Sequence, residues 1–362
     1  MSNTLEAKIS TPCKKKHMDE VLYLPANKSH FQISLILAES SCYTSYIYVN
    51  GHETIAREYI NSNPSSKIKF FLTENSVADF LPMFTKVIVF FGSVTQIAMS
   101  SLKKIILACL KTRTQLYEVP HGLFQSGQNL IDNSIFIDTN SYYDGIGQNL
   151  PSLTNFKLSW SGEDGFGYPR TALKDNYPPR VLPVFTLVTS NTNWFLYSLS
   201  DKRRFYKELF EYVEAHDEEL FIWCPHPAEL MPNTFSLAAM DFKPNNLLLY
   251  GLHNDIYFHG LEGTDDLIPY CDYAISTVTT CLLDYEIHSK KVNVFNCAGV
   301  KNLISEFKEV SSFYTAEEIS KNPKIIESGM LKDFDPVQFD KLIGQNVSED
   351  SYTNYNYLSA FI

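Results

Sequence analysis

The sequence lacks most of the short signatures that assign a function at once. It contains no Walker A loop, no G-x-G-x-x-G run, no low-complexity tract and no internal repeat, so the common phosphate-loop readings do not apply. Its seven cysteines are scattered, odd in number and without a C-x-x-C pair. They read as small buried hydrophobes of a reducing compartment, not as a disulfide frame or zinc site. No metal-ligand spacing is visible elsewhere. Residues 80–110 are the most apolar stretch, but Pro82, Lys86, Gly92, Gln96 and the Lys103-Lys104 pair interrupt it. It cannot supply the ~20 clean apolar residues of a membrane span. The first residues show no signal-peptide order, so a cytoplasmic protein is expected. Lys14-Lys15-Lys16 gives a weak signal of peripheral contact with the inner face of a membrane, a solvated arm being the plainer explanation. Positive charge is short as well: 30 Lys and Arg against 41 Asp and Glu leave a net charge of −11. That argues against a general nucleic-acid binder, although local donors can still hold a nucleotide.

What is present is a large, well-mixed globular chain. Its 362 residues exceed the roughly 250–300 at which one core stops growing, so two domains are expected. Strand-like runs recur at 21–24, 46–49, 67–72, 86–91, 115–119 and 134–137, separated by polar or helical segments such as the helix at 31–39. A proline-bearing linker at 175–180 interrupts the pattern. It restarts with a strand at 184–188, a helix over 194–215, and strands at 220–224, 247–250, 273–275 and 292–295. Repeated strand-helix alternation means parallel sheets covered on both faces. The fold expected is α/β of the GT-B kind, two Rossmann-like domains with parallel sheets facing an interdomain cleft. Residues 1–178 would form the acceptor-side domain and 179–362 the nucleotide-donor domain. The tail from about 315 reads as helical and charged, and is expected to cross back to the first domain.

Four stretches could carry chemistry. The central one is 219–229, where an apolar strand ends at Pro225-His226-Pro227. Two prolines fix φ on either side of His226 and hold it extended just past the strand end, where open α/β sheets bind ligands. A histidine there can donate to a phosphate or titrate near neutrality; the plain alternative is one that satisfies a loop carbonyl. His121-Gly122 follows another strand end, with Gly122 allowing close approach of the backbone to a ligand. Glu163 and Asp164 adjoin in a glycine-flanked turn that runs on to Arg170; either carboxylate could be a general base, or the stretch could be only a turn. Ser276, Thr277, Thr279 and Thr280 lie between a strand and an apolar helix bearing Asp284, where hydroxyls cap a helix or bind phosphate.

Read together, these stretches resemble the CDP-glycerol glycerophosphotransferase family of teichoic-acid and capsule synthesis. His121-Gly122, Gly167-Tyr168-Pro169-Arg170, His226-Pro227 and Ser276-Thr277-Val278-Thr279-Thr280 with Asp284 match that family's motifs in order over residues 115–297. Thr277 stands where the family has an aspartate, and Pro120 where it has a tryptophan. The chain also resembles bacterial GT-B sialyltransferases, through Glu163-Asp164-Gly165, His226-Pro227 and Ser276-Thr277. Both resemblances imply a CMP- or CDP-activated donor used as substrate, with no further cofactor, no metal and no nucleic-acid partner. The donor unit would be a sialic-acid-like sugar or glycerophosphate, passed to a glycan or lipid-linked glycan acceptor of the bacterial surface. Arg170, His226, Pro227, Ser276, Thr277, Thr279 and Thr280 would form the donor side. The first resemblance makes His121 the acceptor's base, and the second Glu163 or Asp164. A UDP-sugar epimerase of similar fold and a non-catalytic capsule-assembly scaffold are the alternatives.

Overall fold

A computed structural model describes residues 20–91, 100–112, 114–121, 124–125, 128–129, 156–190, 197–230, 235–297, 304, 307–329 and 331–345. The chain divides into two compact units, one of Met1–Val119, Pro151–Leu158 and Asp335–Ile362, the other of Pro120–Leu150 and Ser159–Phe334. The strand expected at 134–137 and the lysines at 14–16 lie outside the described residues.

The sheet of the first unit uses β1 (Glu20–Leu24), β2 (Thr44–Tyr48), β3 (Lys69–Phe71), β4 (Lys86–Val89) and β5 (Gln115–Glu118). After a short antiparallel pair, β6 (Phe124–Gln125) and β7 (Gln128–Asn129), β8 (Phe156–Lys157) completes it. The order is β3-β2-β1-β4-β5-β8, every pairing parallel. Val21, Leu22, Tyr23 and Leu24 of β1 are all fully enclosed, as a strand covered on both faces requires. The intervening helices are α1 (Lys28–Ser40), α2 (Glu53–Ser62), α3 (Glu74–Phe80) and α4 (Lys103–Lys111). Asn27 starts α1 by accepting the His30 N–H at 2.9 Å, one of the orphan donors of the first turn.

A helix from the far end of the chain completes this unit. Asp335 caps Pro336–Ile343 by accepting the N–H groups of Val337 and Gln338 at 2.9 and 3.0 Å. Asp340 then accepts from Ser41 Oγ and the Cys42 N–H at 2.6 and 2.8 Å, and Tyr117 OH donates to the Ile343 carbonyl at 3.1 Å. The expectation of a helical tail from about 315 needs correction. After a strand at Ser311–Phe313, only a single tight turn, Ala316–Glu318, precedes isolated bridges, and the helix begins at Pro336. Pro323 and Gly329 in the intervening stretch do not favour a helix.

In the second unit the strands are β9 (Thr186–Thr189), β10 (Phe221–Cys224), β11 (Leu247–Leu249), β12 (Tyr273–Ser276), β13 (Lys291–Phe295) and β14 (Ser311–Phe313). Val184, expected inside the first of these, is largely exposed, and β9 starts two residues later. The order β11-β10-β9-β12-β13-β14 is again wholly parallel. Helices α5 (Leu199–Glu214), α6 (Phe235–Met240), α7 (Thr264–Leu267) and α8 (Cys281–Ile287) connect them. Ser198 and Asp201 form a reciprocal capping box at the start of α5. Phe205 and Tyr206 of α5 carry its buried face onto Phe295, Phe313 and Trp223 of the sheet.

Both sheets therefore have the doubly wound order, reversing between β1 and β4 in the first unit and between β9 and β12 in the second. Ligands of such sheets sit outside the strands' carboxyl ends at that reversal. Among the described residues no helix is long and apolar enough to cross a membrane.

Candidate active site

The carboxyl end of the second sheet brings together two of the stretches that the sequence singled out, His226 and the 276–280 hydroxyls. β9 ends in Thr189-Ser190, β10 in Cys224-Pro225-His226, and β12 in Ser276-Thr277. Cys224 and Ser276 are both level with Thr189, so the ends of β10 and β12 stand two strand spacings, roughly 10 Å, apart on either side of β9. The His226 side chain reaches the surface, while protein packed on its inner side pushes its pKa below the ordinary value, against the pull of Glu229. At neutral pH it is a neutral imidazole, able to donate one hydrogen bond.

The hydroxyls of 276–280 are not equivalent. Ser276 Oγ receives Thr189 Oγ1 at 2.8 Å and donates to the Thr277 carbonyl at 2.7 Å, tying the ends of β9 and β12 together. Thr279 Oγ1 accepts the Cys281 N–H at 3.4 Å, and Tyr197 OH accepts the Val278 N–H at 2.5 Å. Thr280, the residue before α8, makes no side-chain cap and is half-buried. Thr277 Oγ1 is enclosed close to the Tyr197 hydroxyl, with no well-formed hydrogen bond among the described residues. Two of the four hydroxyls thus serve the loop itself.

Arg170 is used by the protein too. Its guanidinium lies buried between Asp265, at 2.8 Å from Nη2, and Asp284, at 3.2 Å from Nε. Burial pushes the Asp284 pKa up to about 7, with Arg170 opposing and Asp265 adding to the rise. This cluster fastens the turn Pro169–Leu173 to α7 and α8, next to the end of β10, where Thr264 Oγ1 donates to Cys224 Sγ at 3.0 Å. The glycine before Tyr168 has an equally structural reason. Gly167 has φ +77°, and a Cβ there would come within 2.1 Å of the Asp333 carbonyl.

The remaining candidates lie elsewhere. Glu163 and Asp164 are exposed on their turn, where Lys332 Nζ donates to the carbonyls of Gly162 and Glu163. His121 is half-buried just beyond β5, and its neighbour Gly122 lies outside the described residues. Pro227 opens the turn Pro227–Leu230. Sequence reasoning passed over Glu229, Lys202, Ser190 and Asp265. Glu229 had one signal available: a carboxylate three residues after His226 can reach back to that residue's N–H, as in a capping box. Among the described residues no cluster of three His, Cys, Asp or Glu side chains could hold a metal ion.

Comparison with known proteins establishes the fold and nothing finer. No protein-family model matches the sequence, and no curated protein matches it either. Solved structures do match. S. aureus MnaA, in a co-structure with UDP, aligns over 83% of this chain and 86% of its own at TM-score 0.51 and 10% identity. The fold is GT-B-like. UDP-GlcNAc 2-epimerase from Neisseria meningitidis, bound to UDP-GlcNAc, covers 94% and 98% at TM-score 0.50 and 10% identity. That from Methanocaldococcus jannaschii covers 90% and 99% at the same score and identity. The wall teichoic acid polymerase TagF matches at TM-score 0.44 and 12% identity, too loosely to argue from.

Proposed function

We propose that the chain is a nucleotide-dependent transferase whose donor phosphate rests over the carboxyl ends of β9, β10 and β12. The observation that supports this most is the placement of His226 and the 276–280 loop at the reversal point of one sheet, where parallel α/β folds take their ligands. The His226 imidazole donates to a phosphate oxygen, and Thr280 offers a half-buried hydroxyl just before α8. As the nucleotide leaves, negative charge grows on that phosphate, and fixed donors stabilise it. Arg170 contributes indirectly, by holding α8, the helix that bears Asp284 and follows the 276–280 loop. The finer form of the reading is a CMP- or CDP-activated donor and a bacterial surface-glycan acceptor, and it rests on the order of the sequence motifs. His121, Glu163 and Asp164 are the candidates to accept the proton of the acceptor hydroxyl.

A second reading, a UDP-sugar epimerase, is favoured by one observation: the solved structures of like fold include 2-epimerases, one bound to UDP-GlcNAc. Thermal-shift measurements with CMP, CDP, UDP and GDP separate the two. A cytidine-nucleotide response that drops about tenfold to a hundredfold in affinity in His226→Ala is the expected result, since a hydrogen bond to a charged group is worth about 1.5–3 kcal/mol. A uridine preference selects the epimerase, and silence to all four nucleotides overturns both readings.

A further inference from the structure

Glu229 is almost wholly buried, 1% exposed, at the heart of the loop that carries His226. Its Oε2 accepts Ser190 Oγ at 2.6 Å and the His226 N–H at 2.9 Å. Its Oε1 accepts Tyr206 OH at 2.8 Å and Ser236 Oγ at 2.9 Å. Ser190 Oγ in turn accepts the Trp223 indole N–H at 2.8 Å. The Glu229 N–H donates to the His226 carbonyl at 2.8 Å, so one residue grips the backbone of His226 from both sides. The donors come from the end of β9, the loop after β10, α5 and α6. Lys202, one turn before Tyr206 on α5, is buried with them and feels the Glu229 charge.

Simple packing does not call for such a group. A buried carboxylate is costly unless its oxygens are filled with donors, and an apolar side chain of similar volume would cover the same space. Fully satisfied, a buried polar network rigidifies and selects one arrangement. Here the arrangement selected is that of the residue after Pro225.

We propose that Glu229 is the positioning residue of this site, fixing the His226 backbone on the carboxyl end of β10 and thereby the place where its imidazole meets an anionic ligand. The ligand part rests on the proposed donor reading; the positioning part rests on the hydrogen bonds alone. A displacement of the order of 1 Å in such a group is enough to lower function by about a hundredfold.

The test uses the full-length chain with ring-labelled histidines, the His226 signal being assigned by its loss in His226→Ala. Glu229→Gln should move the His226 resonance and lower its titration midpoint, because the carboxylate that raises it has gone. Glu229→Asp keeps the charge but withdraws it by one methylene, and should still shift the resonance. With the nucleotide that responds best, both variants should lose about tenfold to a hundredfold in affinity, a hydrogen bond to a charged group being worth about that much. Combining either with His226→Ala should cost no more than His226→Ala alone. A folded Glu229→Gln or Glu229→Asp with parental His226 resonance and titration overturns the proposal, as does additivity with His226→Ala. Should the parent bind no nucleotide, the donor reading fails while the His226 signal still decides the positioning claim. Should Glu229→Gln not fold, Glu229→Asp decides the question by the same two measurements.

Discussion

The two units share a strand order but not what stands at its reversal point. In the second unit, the ends of β9, β10 and β12 are joined by Thr189, Ser190, Ser276 and the buried Glu229. In the first unit the corresponding end is aromatic: His30 is buried at the start of α1 and stacks on Phe90, just beyond β4, at 4.8 Å between ring centres. Topology dictates where a crevice forms, while the residues just past each strand dictate whether it is polar. The same scaffold thus holds a buried carboxylate among its donors in one unit and a histidine stacked on phenylalanine in the other. A histidine marks both, and burial separates them: His30 is enclosed, His226 reaches solvent.

Stability measurements can break or sharpen this contrast, because the three tryptophans, Trp160, Trp194 and Trp223, all fall in the second unit. Their fluorescence during urea unfolding reports that unit. The largest effect is expected from Arg170→Ala, which strands Asp265 and the buried Asp284 without their shared cation. Breaking one partner of a buried ion pair costs about 3–5 kcal/mol, so the fluorescence midpoint should fall steeply. An unchanged midpoint would show the cluster to be dispensable.

Next comes the dependence on pH. Folding raises the Asp284 pKa from the ordinary carboxylate range to about 7. Between roughly pH 4 and 7 the folded chain therefore keeps a proton that the unfolded chain has released, and stability from this group falls as pH rises. Folding lowers the His288 pKa to about 4, through burial first and then the charges of Lys290 and Arg170. That gives the opposite slope between about pH 4 and 6.5, each group contributing at most about 1.4 kcal/mol per pH unit. The two offset each other in that window, so Asp284→Asn should leave a stability that climbs with pH up to about 6.5. A slope unaltered by that substitution would refute the assignment. The smallest effect is expected at the caps. Asn27→Ala and Ser198→Ala each remove the cap of the helix that follows the first strand of a six-stranded sheet, for about 1 kcal/mol. Only Ser198→Ala should register in tryptophan fluorescence; equal responses would mean that the units unfold together.

Much of this architecture was legible because parallel strands, buried on both faces, read as unbroken apolar runs such as 87–89 and 273–275. The position of His226 was legible for a similar local reason, its two flanking prolines. Short edge strands such as β8 and β14 carry too few residues to show a period. Arg170 was read as a donor ligand because nothing local reveals Asp265 and Asp284, which meet it only through the fold. The four hydroxyls of 276–280 looked alike in sequence, and only tertiary contacts divide those that serve the loop from those that remain. Glu229 was overlooked because a lone glutamate ordinarily marks a solvated surface.

The return of the helix Pro336–Ile343 to the first unit bears on how the molecule is made. Asp340 meets Ser41 across 299 positions of sequence, and Ile343 meets Tyr117 across 226. On the ribosome, β1 to β5 emerge long before the segment that finishes their packing, whereas every strand of the second sheet has emerged by Phe313. Domains generally fold as units during synthesis, N-terminal ones first. Here the packing of the unit begun first is completed only by Pro336–Ile343, which follows every strand of the second sheet in the chain.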